Sequence, residues 1–323
     1  MPVPRRSRLA VGAVVVAMTL AGCGDAPTAP ASGTPAAAGF PVSVIRCGHV
    51  STFTAPPERV VLGWATSVRT LDALGMARKV TGYVSGANAQ LPAGFTATEV
   101  SPDFKPAKEA LLAARPDLFL ANDENQLSGA EGTAGWADLE AVGGKGFVLG
   151  GYCLDTPAPA TLDAVYTDIR DLGAVFGVRD RADTIVADLT RRVSAAAAKR
   201  GTVAPARVAV VQVYDGKVYA LAGSYYNAIL DGAGLTNVFA SLGQNFAEIS
   251  PEQVLTAKPD AIVAVHEEAG GAGAAVDAAR TAFAATPAVA AGKVVAMSNV
   301  DISGGGVDIV DLVEQAATAV YGP

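Results

Sequence analysis

The chain has 323 residues, half of them hydrophobic, and its 31 acidic side chains outnumber 24 basic ones to give a formal net charge of −7. So acidic a chain, without a lysine- or arginine-rich cluster, is a poor candidate for binding nucleic acid through phosphates. The length is sufficient for two ordinary lobes, each with a core of its own.

The N-terminus has the pattern of an export signal. Three arginines precede an apolar run at 9–20, and a run of about a dozen residues is shorter than the roughly 20 that span a bilayer. Residues 1–22 are therefore predicted to be a signal peptide, and their loss removes three arginines and no acid, so the charge falls from −7 to −10. The small residues before Cys23 resemble a bacterial lipobox, which predicts lipidation of Cys23; the alternative is an ordinary signal peptide with a chance cysteine.

Residues 23–40 are rich in proline, alanine, glycine and threonine and predict a flexible tether between membrane and folded body. Two more cysteines follow, Cys47 and Cys153. An even pair in an exported protein favours a disulfide between them, and two separately buried thiols are the alternative.

Residues 41–178 predict an N-terminal α/β lobe, because short apolar strands alternate with helical segments. The predicted strands are 59–63, 79–84, 118–121 and 146–150, and the predicted helices are 68–74, 109–114, 136–142 and 161–176.

The next segment, 179–200, predicts a long helix with apolar residues at spacings of three and four. Such a helix is about 30 Å long and can join two lobes as a rigid strut. Residues 201–323 predict a C-terminal α/β lobe. Its predicted strands are 207–214, 217–221, 261–265 and 293–297, with helices beginning at 226 and spanning 308–321.

One nine-residue pattern occurs in both lobes, 143 residues apart: Glu109 to Pro116-Asp117 and Glu252 to Pro259-Asp260. Each copy predicts a short helix that proline ends, followed by a buried strand. Ser250 and Pro251 suit the N-cap and first helical position. The leading glutamates lie in first turns, where negative charge is favourable by roughly 0.3–1 kcal/mol, and the proline and aspartate of each copy are expected to serve the fold.

Signatures of catalysis are scarce. No nucleophile elbow, phosphate loop or zinc-protease helix occurs, and only two histidines, His49 and His266, are present. A metal site of three imidazoles is therefore excluded. We expect no enzyme, no bound metal and no cofactor. His266 with Glu267 and Glu268 forms either a polar strand end or, as the alternative, a general base.

Aromatic residues near the ends of predicted strands are the stronger signal. Ligands of doubly wound sheets bind outside the carboxyl ends of strands, so these rings are candidates for lining a cleft. Plain core packing is the alternative for each. The candidate ligand-binding residues are Trp64, Arg69, Tyr83, Tyr214, Tyr225 and Phe246.

The lipobox, the segments 57–62 and 71–75, the paired Glu…Pro-Asp motifs and the long helix together resemble the iron-siderophore and cobalamin substrate-binding proteins of ABC importers. These are the class III, single-helix-linked binding proteins, and the resemblance covers the chain from Arg59 to its end. Cys47-Gly48 with Cys153 resembles the actinobacterial ferric-siderophore branch.

The resemblance implies an α/β fold of two Rossmann-like lobes with mostly parallel sheets, joined by one long rigid helix. It implies a monomer that binds a ferric siderophore between the lobes and is held at the extracytoplasmic face of the membrane by its lipid alone. It also implies that Glu109 and Glu252 dock onto arginines of the permease dimer.

One position departs from the family pattern. Relatives often carry a glutamate where this chain has Arg69, which either favours an anionic ligand or pairs with a neighbouring acid. Asn122 and Lys217 are expected to orient a chelate. Cobalamin or haem as ligand stays open, since tyrosines can ligate haem iron. Two other functions also stay open: a lipid-anchored hydrolase that uses His266, and a receptor that presents its ligand to a membrane sensor.

Overall fold

The computed structural model describes residues 38–86, 91–150, 152–153, 160–242, 244–267 and 270–323. The predicted signal peptide, Cys23, nearly all of the tether and Glu268 lie outside the described residues. No helix in the described part is long and apolar enough to cross a bilayer. Residues Ala36–Pro323 form one unit.

A β-hairpin that the sequence analysis did not predict opens this unit. Strands β1 (Val42–Arg46) and β2 (His49–Phe53) pair antiparallel with Arg46 opposite His49, so Cys47 and Gly48 form a two-residue turn. Both turn residues have positive φ, 50° and 77°. This is the backbone that matches the twist of a hairpin, and glycine adopts it readily.

The N-terminal sheet is wholly parallel, as predicted. Its strands are β3 (Val60–Leu62), β4 (Val80–Val84), β5 (Thr98–Ser101), β6 (Leu118–Ala121) and β7 (Lys145–Val148), in the order β5-β4-β3-β6-β7. Its helices are α1 (Val68–Ala73), α2 (Lys108–Ala113) and α3 (Trp136–Ala141), with short 3₁₀ turns at Ala65–Ser67, Ala77–Lys79 and Glu124–Leu127. β3 and β6 are buried throughout, which explains their unbroken apolar sequences.

Two antiparallel helices follow, α4 (Leu162–Val175) and α5 (Arg179–Ala198). α5 has 20 residues, about 30 Å, and buries Ala182, Val186 and Leu189 as its apolar spacing predicts. Gly173 of α4 faces Ala182 so closely that a side chain there would overlap it. The two helices therefore pack tightly.

The C-terminal sheet is parallel except for one strand. Its strands are β8 (Arg207–Tyr214), β9 (Lys217–Ala220), β10 (Thr236–Asn237), β11 (Ala247–Ile249), β12 (Ala261–His266) and β13 (Val294–Ser298), in the order β11-β9-β8-β12-β13 with β10 beside the start of β8. β9 runs antiparallel to both neighbours. The reason is the tight turn at Asp215-Gly216, where both φ angles are positive.

Helices cover this sheet too. They are α6 (Tyr226–Gly232), α7 (Pro251–Ala257), α8 (Ala272–Ala282), α9 (Pro287–Ala290), α10 (Asn299–Ser303) and α11 (Asp308–Tyr321), with a 3₁₀ turn at Ala240–Leu242. Ser250 is the N-cap of α7 and Pro251 its first residue, as predicted, and the Ser250 N–H donates to the Gln253 side chain at 2.8 Å.

The repeated Pro-Asp pairs perform the same structural task in both lobes. Asp117 accepts the N–H of Arg59 at 3.0 Å and donates its own N–H to the Arg59 carbonyl at 2.8 Å. Asp260 makes the matching pair of bonds with Arg207, at 2.8 and 2.7 Å. Each aspartate thus joins the start of its strand to the start of the central strand of its lobe.

The two lobes share a hydrophobic core. One continuous cluster of buried side chains includes Leu62 and Phe147 from the N-terminal sheet, Val208 and Val263 from the C-terminal sheet, and Leu312 of α11. Because a shared core must be exposed before the lobes can separate widely, we expect any motion between them to be small.

Candidate functional site

The carboxyl ends of the strands of the two lobes face each other and are joined by hydrogen bonds; we call this zone the seam. Trp64, after β3, donates its indole N–H to the Val300 carbonyl at 2.9 Å. Asn122, after β6, donates its side-chain amide to the Ser303 carbonyl. Tyr225, before α6, donates its hydroxyl to the Gly150 carbonyl at 2.8 Å. Doubly wound proteins bind ligands outside the carboxyl ends of their strands, which makes the seam a candidate binding site.

A glycine-rich segment closes one part of the seam. Ser67 donates its hydroxyl to the Gly304 carbonyl at 3.2 Å, and the Val307 N–H donates to the Thr70 hydroxyl at 3.2 Å. A β-carbon at Gly306 would overlap Thr70 Oγ1. Only glycine therefore lets residues 304–306 approach α1 this closely.

Arg69 is engaged in this contact. Its guanidinium lies 3.3 Å from carboxylate oxygens of both Asp301 and Asp308. Burial raises the pKa of Asp308 to about 6, and Arg69 opposes that rise. Of the two roles considered for Arg69, the geometry supports pairing with acids and leaves it no excess positive charge for an anionic ligand.

Tyr152 lies at the centre of the seam. Its hydroxyl shares a hydrogen bond with Ser224 of the other lobe, and its ring meets that of Tyr225 edge-on at 5.8 Å. Burial raises the pKa of Tyr152 to about 12, with a smaller contribution from the negative charge of Asp123. Tyr152 thus stays neutral at physiological pH and can donate a hydrogen bond.

The predicted disulfide is present and ties Tyr152 to the N-terminal lobe. Cys47 in the hairpin turn is bonded to Cys153, the residue after Tyr152. Glu124 lies beside the two sulfurs, all within 4.8 Å of one another. Because the sulfurs are bonded to each other, this group offers no thiolate to a metal.

An open face of the C-terminal sheet borders the seam. Antiparallel pairing sets Tyr219 opposite Gln212 and Tyr214 opposite Lys217, so these side chains share one face. The other face, with Val211, Val218 and Ala220, is buried core. Tyr214 is 67% and Phe246 46% exposed, and Phe246 meets Tyr219 edge-on at 6.4 Å. We call Gln212, Tyr214, Tyr219 and Phe246 the platform.

Glu267 follows β12 at the same edge and is held by amides. Asn299 donates to its two oxygens at 3.1 and 2.9 Å, and Gln212 donates at 3.4 Å. Tyr226 in turn donates to the Asn299 carbonyl oxygen at 2.5 Å. Burial and the charge of Glu267 raise the pKa of Tyr226 well above its usual value.

Cavities lie at both ends of the sheets. One of about 290 Å³ opens where β8 and β12 meet the first turns of α8, lined by Tyr214, His266 and Glu267 among others. A larger one of about 500 Å³ lies beside α1 and the start of β4. The smaller cavity has the better claim to function, because it lies at the carboxyl ends of strands and adjoins the platform.

The predicted ligand-binding residues do not form one group. Trp64 and Tyr225 lie in the seam but are buried, 4% and 0% exposed, and bond the other lobe, while Tyr83 is buried within β4. Tyr214 and Phe246 are open on the platform. The site side chains that the sequence did not indicate are Gln212, Tyr219 and Asn299, and Glu267 was indicated only as a polar strand end or part of a general base. The Asp-Gly turn after β8 was the available signal for Tyr219, since it folds the strand back beside Tyr214.

The two leading glutamates of the repeat occupy equivalent places. Glu109 and Glu252 are exposed and are the second residues of α2 and α7. Helices that lead into parallel strands run antiparallel to them, so both glutamates lie on the carboxyl side of their sheets. Their docking to a permease stays a prediction.

Comparison with known proteins agrees with this geometry. Residues 144–300 match the family described as periplasmic binding protein. No curated protein matches the sequence. An ABC-type Fe³⁺-hydroxamate transport system protein from Saccharomonospora viridis is 25% identical, with a TM-score of 0.69 over 88% of this chain and 100% of that one.

Two heme-binding periplasmic proteins show the same fold. That from Roseiflexus is 24% identical, with a TM-score of 0.65 over 82% of this chain and 98% of its own. That from Vibrio cholerae is 20% identical, with a TM-score of 0.67 over 81% and 98%. The predicted α/β fold of two lobes is confirmed. By the family match over residues 144–300 and by its fold, this chain is similar to the periplasmic binding proteins of ABC transporters.

Proposed function

We propose that this protein is lipid-anchored at the extracytoplasmic face of the membrane, captures a ferric siderophore at the seam and delivers it to an ABC permease. The observation that carries the proposal is the platform, where exposed aromatic rings adjoin buried polar groups at the carboxyl ends of strands. Aromatic area with a few oriented polar groups is how binding proteins hold drug-sized ligands.

Binding is coupled to the seam. Trp64 and Tyr225 reach a ligand only if their bonds to Val300 and Gly150 open. The ligand must offset the loss of these bonds. Its apparent affinity is therefore the intrinsic affinity multiplied by the fraction of molecules in which the bonds are already open. Asn122 bonds Ser303 across the seam, and Lys217 pairs with Glu248 at 2.9 Å, so both can orient a chelate only by exchanging these partners.

Support for the ligand class comes from the Saccharomonospora protein, whose description names Fe³⁺-hydroxamate transport. Isothermal titration calorimetry of the mature protein against ferric trihydroxamates, a ferric tricatecholate, haem and cobalamin tests the proposal. We expect saturable one-to-one binding of a ferric chelate. Binding of cobalamin alone, or of none of the panel, would contradict the proposal.

Haem is a second candidate ligand, because two phenol groups, Tyr214 and Tyr219, lie open or partly open on the platform. Tyrosine oxygen is an axial ligand of haem iron in some proteins. A Soret band that appears with wild-type protein and is lost in a Tyr214→Phe, Tyr219→Phe variant would favour haem. An unchanged spectrum of free haem would exclude it.

The anchor is proposed at Cys23. Radiolabelled palmitate should be incorporated into the wild-type chain and not into a Cys23→Ser variant, which should be released into the medium. Equal retention of both proteins at the membrane would contradict the lipid anchor. The hydrolase alternative gains no support, because the matched family consists of binding proteins.

A further inference from the structure

The acid at the end of β12 keeps its charge beside the cavity. Glu267 is half-buried, and the partners that the structure gives it are the amides of Gln212 and Asn299. Amide N–H groups stabilise a carboxylate without cancelling its charge, whereas a lysine or arginine would do both. Glu267 therefore contributes a negative charge to the wall of the cavity of about 290 Å³, which His266 also lines.

Two cations that adjoin the seam and platform in the described part of the chain are paired with acids. Arg69 has two acids, Asp301 and Asp308, at 3.3 Å each. Lys217 is paired with Glu248 at 2.9 Å. One guanidinium between two carboxylates leaves that part of the seam with no positive charge in excess.

The opposite lobe adds charge of the same sign. The negative charge of Asp123, after β6, helps to raise the pKa of Tyr152 at the centre of the seam. The charge of Glu267 has the same effect on the pKa of Tyr226. Asp123 accepts hydrogen bonds from the backbone and side-chain amides of Asn125, both at 2.6 Å. Carboxylates held by amides thus approach the seam from both lobes.

We infer that Glu267 makes this site select ferric chelates by charge, admitting neutral or cationic ones and rejecting polyanionic ones. The inference rests on the proposed function. Three singly charged hydroxamates neutralise a ferric ion, and a pendant ammonium makes the chelate a cation, whereas three doubly charged catecholates leave a trianion. A fixed carboxylate in a partly desolvated cavity attracts the cation and repels the trianion. Ferric trihydroxamates meet this condition, and ferric tricatecholates do not.

The experiment compares wild type with Glu267→Gln against three chelates: ferrioxamine B, which carries a pendant ammonium, ferrichrome, which is neutral, and ferric enterobactin, a trianion. Glutamine keeps an acceptor for Asn299, so thermal unfolding should be unchanged. Glu58→Gln is the matched control, because it removes the same charge from an exposed residue just before β3, at the amino end of the N-terminal sheet. Calorimetry at low salt gives each dissociation constant.

We expect wild type to bind ferrioxamine B at least as tightly as ferrichrome and far more tightly than ferric enterobactin. In Glu267→Gln the affinity for ferrioxamine B should fall roughly tenfold, that for ferrichrome should stay within about twofold, and any affinity for ferric enterobactin should rise. Glu58→Gln should match wild type.

Two results would overturn the inference while leaving the proposed function intact: equal or tighter binding of ferric enterobactin by wild type, or an equal loss for all three chelates in Glu267→Gln. Binding of no ferric chelate at all would overturn the proposed function and the charge selection with it.

Discussion

Asp168 is the most unusual single residue, because it is a buried acid on which three elements converge. It lies on α4, accepts the Gly150 N–H after β7 at 2.7 Å, and lies 3.0 Å from Arg46 at the end of β1. Arg46 also pairs with Asp171 at 2.6 Å and covers the Phe147 ring at 4.2 Å. The carbonyl of the same Gly150 accepts the Tyr225 hydroxyl, so Asp168 helps to hold the backbone that Tyr225 bonds across the seam.

Burial raises the pKa of Asp168 from 3.8 to about 7, although Arg46 opposes the rise. Between pH 4 and pH 7 the folded protein binds a proton at Asp168 that the unfolded chain has lost. The contribution of Asp168 to the stability of the protein is therefore greatest below pH 4 and is lost as pH rises through 7. Asp168→Asn should remove this contribution to the pH dependence of the free energy of unfolding, a slope of at most about 1.4 kcal/mol per pH unit. Urea unfolding at pH 5, 6, 7 and 8 measures it.

Asparagine keeps an acceptor for the Gly150 N–H, and Arg46 keeps Asp171. Asp308, whose pKa is raised to about 6, adds a slope of the same sign that should persist in the variant. Identical pH profiles of wild type and Asp168→Asn would show that Asp168 is ionised throughout this range.

At the scale of elements, the sequence predicted most of the strands that consist of long apolar runs and most of the helices with a long stretch of apolar residues at helical spacing. β6, β8 and α11 have the predicted bounds. The hairpin β1–β2 was missed because its Cys47-Gly48 turn lacks the asparagine or aspartate that usually marks such turns. The segment 298–308 was missed because its short α10 and glycines show no periodicity, and only the contact with α1 explains them.

The candidate site was predicted only in part, because contacts between residues distant in the chain decide which side chains are open. The rule that ligands bind at the carboxyl ends of strands places the candidate site at the seam and the platform, but it does not tell which rings the second lobe covers. Trp64 and Tyr225 follow this rule and are buried by contacts from residues distant in the chain. The sequence around Glu267 indicates only a polar strand end, because Asn299, which holds its carboxylate, lies 32 positions later.

The glycine segment gives a test at this scale. Gly306→Ala would place a methyl group on Thr70 Oγ1, and either the segment or α1 must move. We expect the free energy of unfolding to fall by roughly 1–3 kcal/mol, the usual cost of overpacking. Urea denaturation measures it.

Gly273→Ala is the matched control, because nothing lies within 4 Å of the new β-carbon and the residue is inside α8. Because Gly273 is the second residue of α8, alanine there should leave the free energy of unfolding unchanged or raise it by at most about 1 kcal/mol. If Gly306→Ala were as harmless as Gly273→Ala, the close contact across the seam would be absent in solution.

For the whole molecule, a shared core and a closed seam argue for a nearly rigid body on which the two repeat glutamates, Glu109 and Glu252, are exposed, one on each lobe. Such a body can present both carboxylates at a fixed spacing to a permease dimer. Glu109→Ala with Glu252→Ala should leave the affinity for the chelate unchanged and reduce its uptake by cells strongly. Uptake of ⁵⁵Fe-labelled chelate by a strain that depends on this protein measures it.

Glu131→Ala, at an exposed residue paired with Lys105, is the control for loss of surface charge and should transport normally. Normal uptake by the double variant would refute docking through Glu109 and Glu252. Loss of chelate affinity in the double variant would show instead that these residues support the binding site.

The most direct test of ligand capture at the seam uses the two tryptophans of the chain. Trp64 bonds Val300 across the seam, whereas Trp136 stacks on His49 and contacts Gly146 near the amino end of β7. In a fluorescence titration with a ferric trihydroxamate, Trp136→Phe should retain a saturable one-to-one quench, and Trp64→Phe should lose most of it. No saturable quench in wild type, or a quench that resides in Trp136, would contradict binding of a ferric chelate between the lobes.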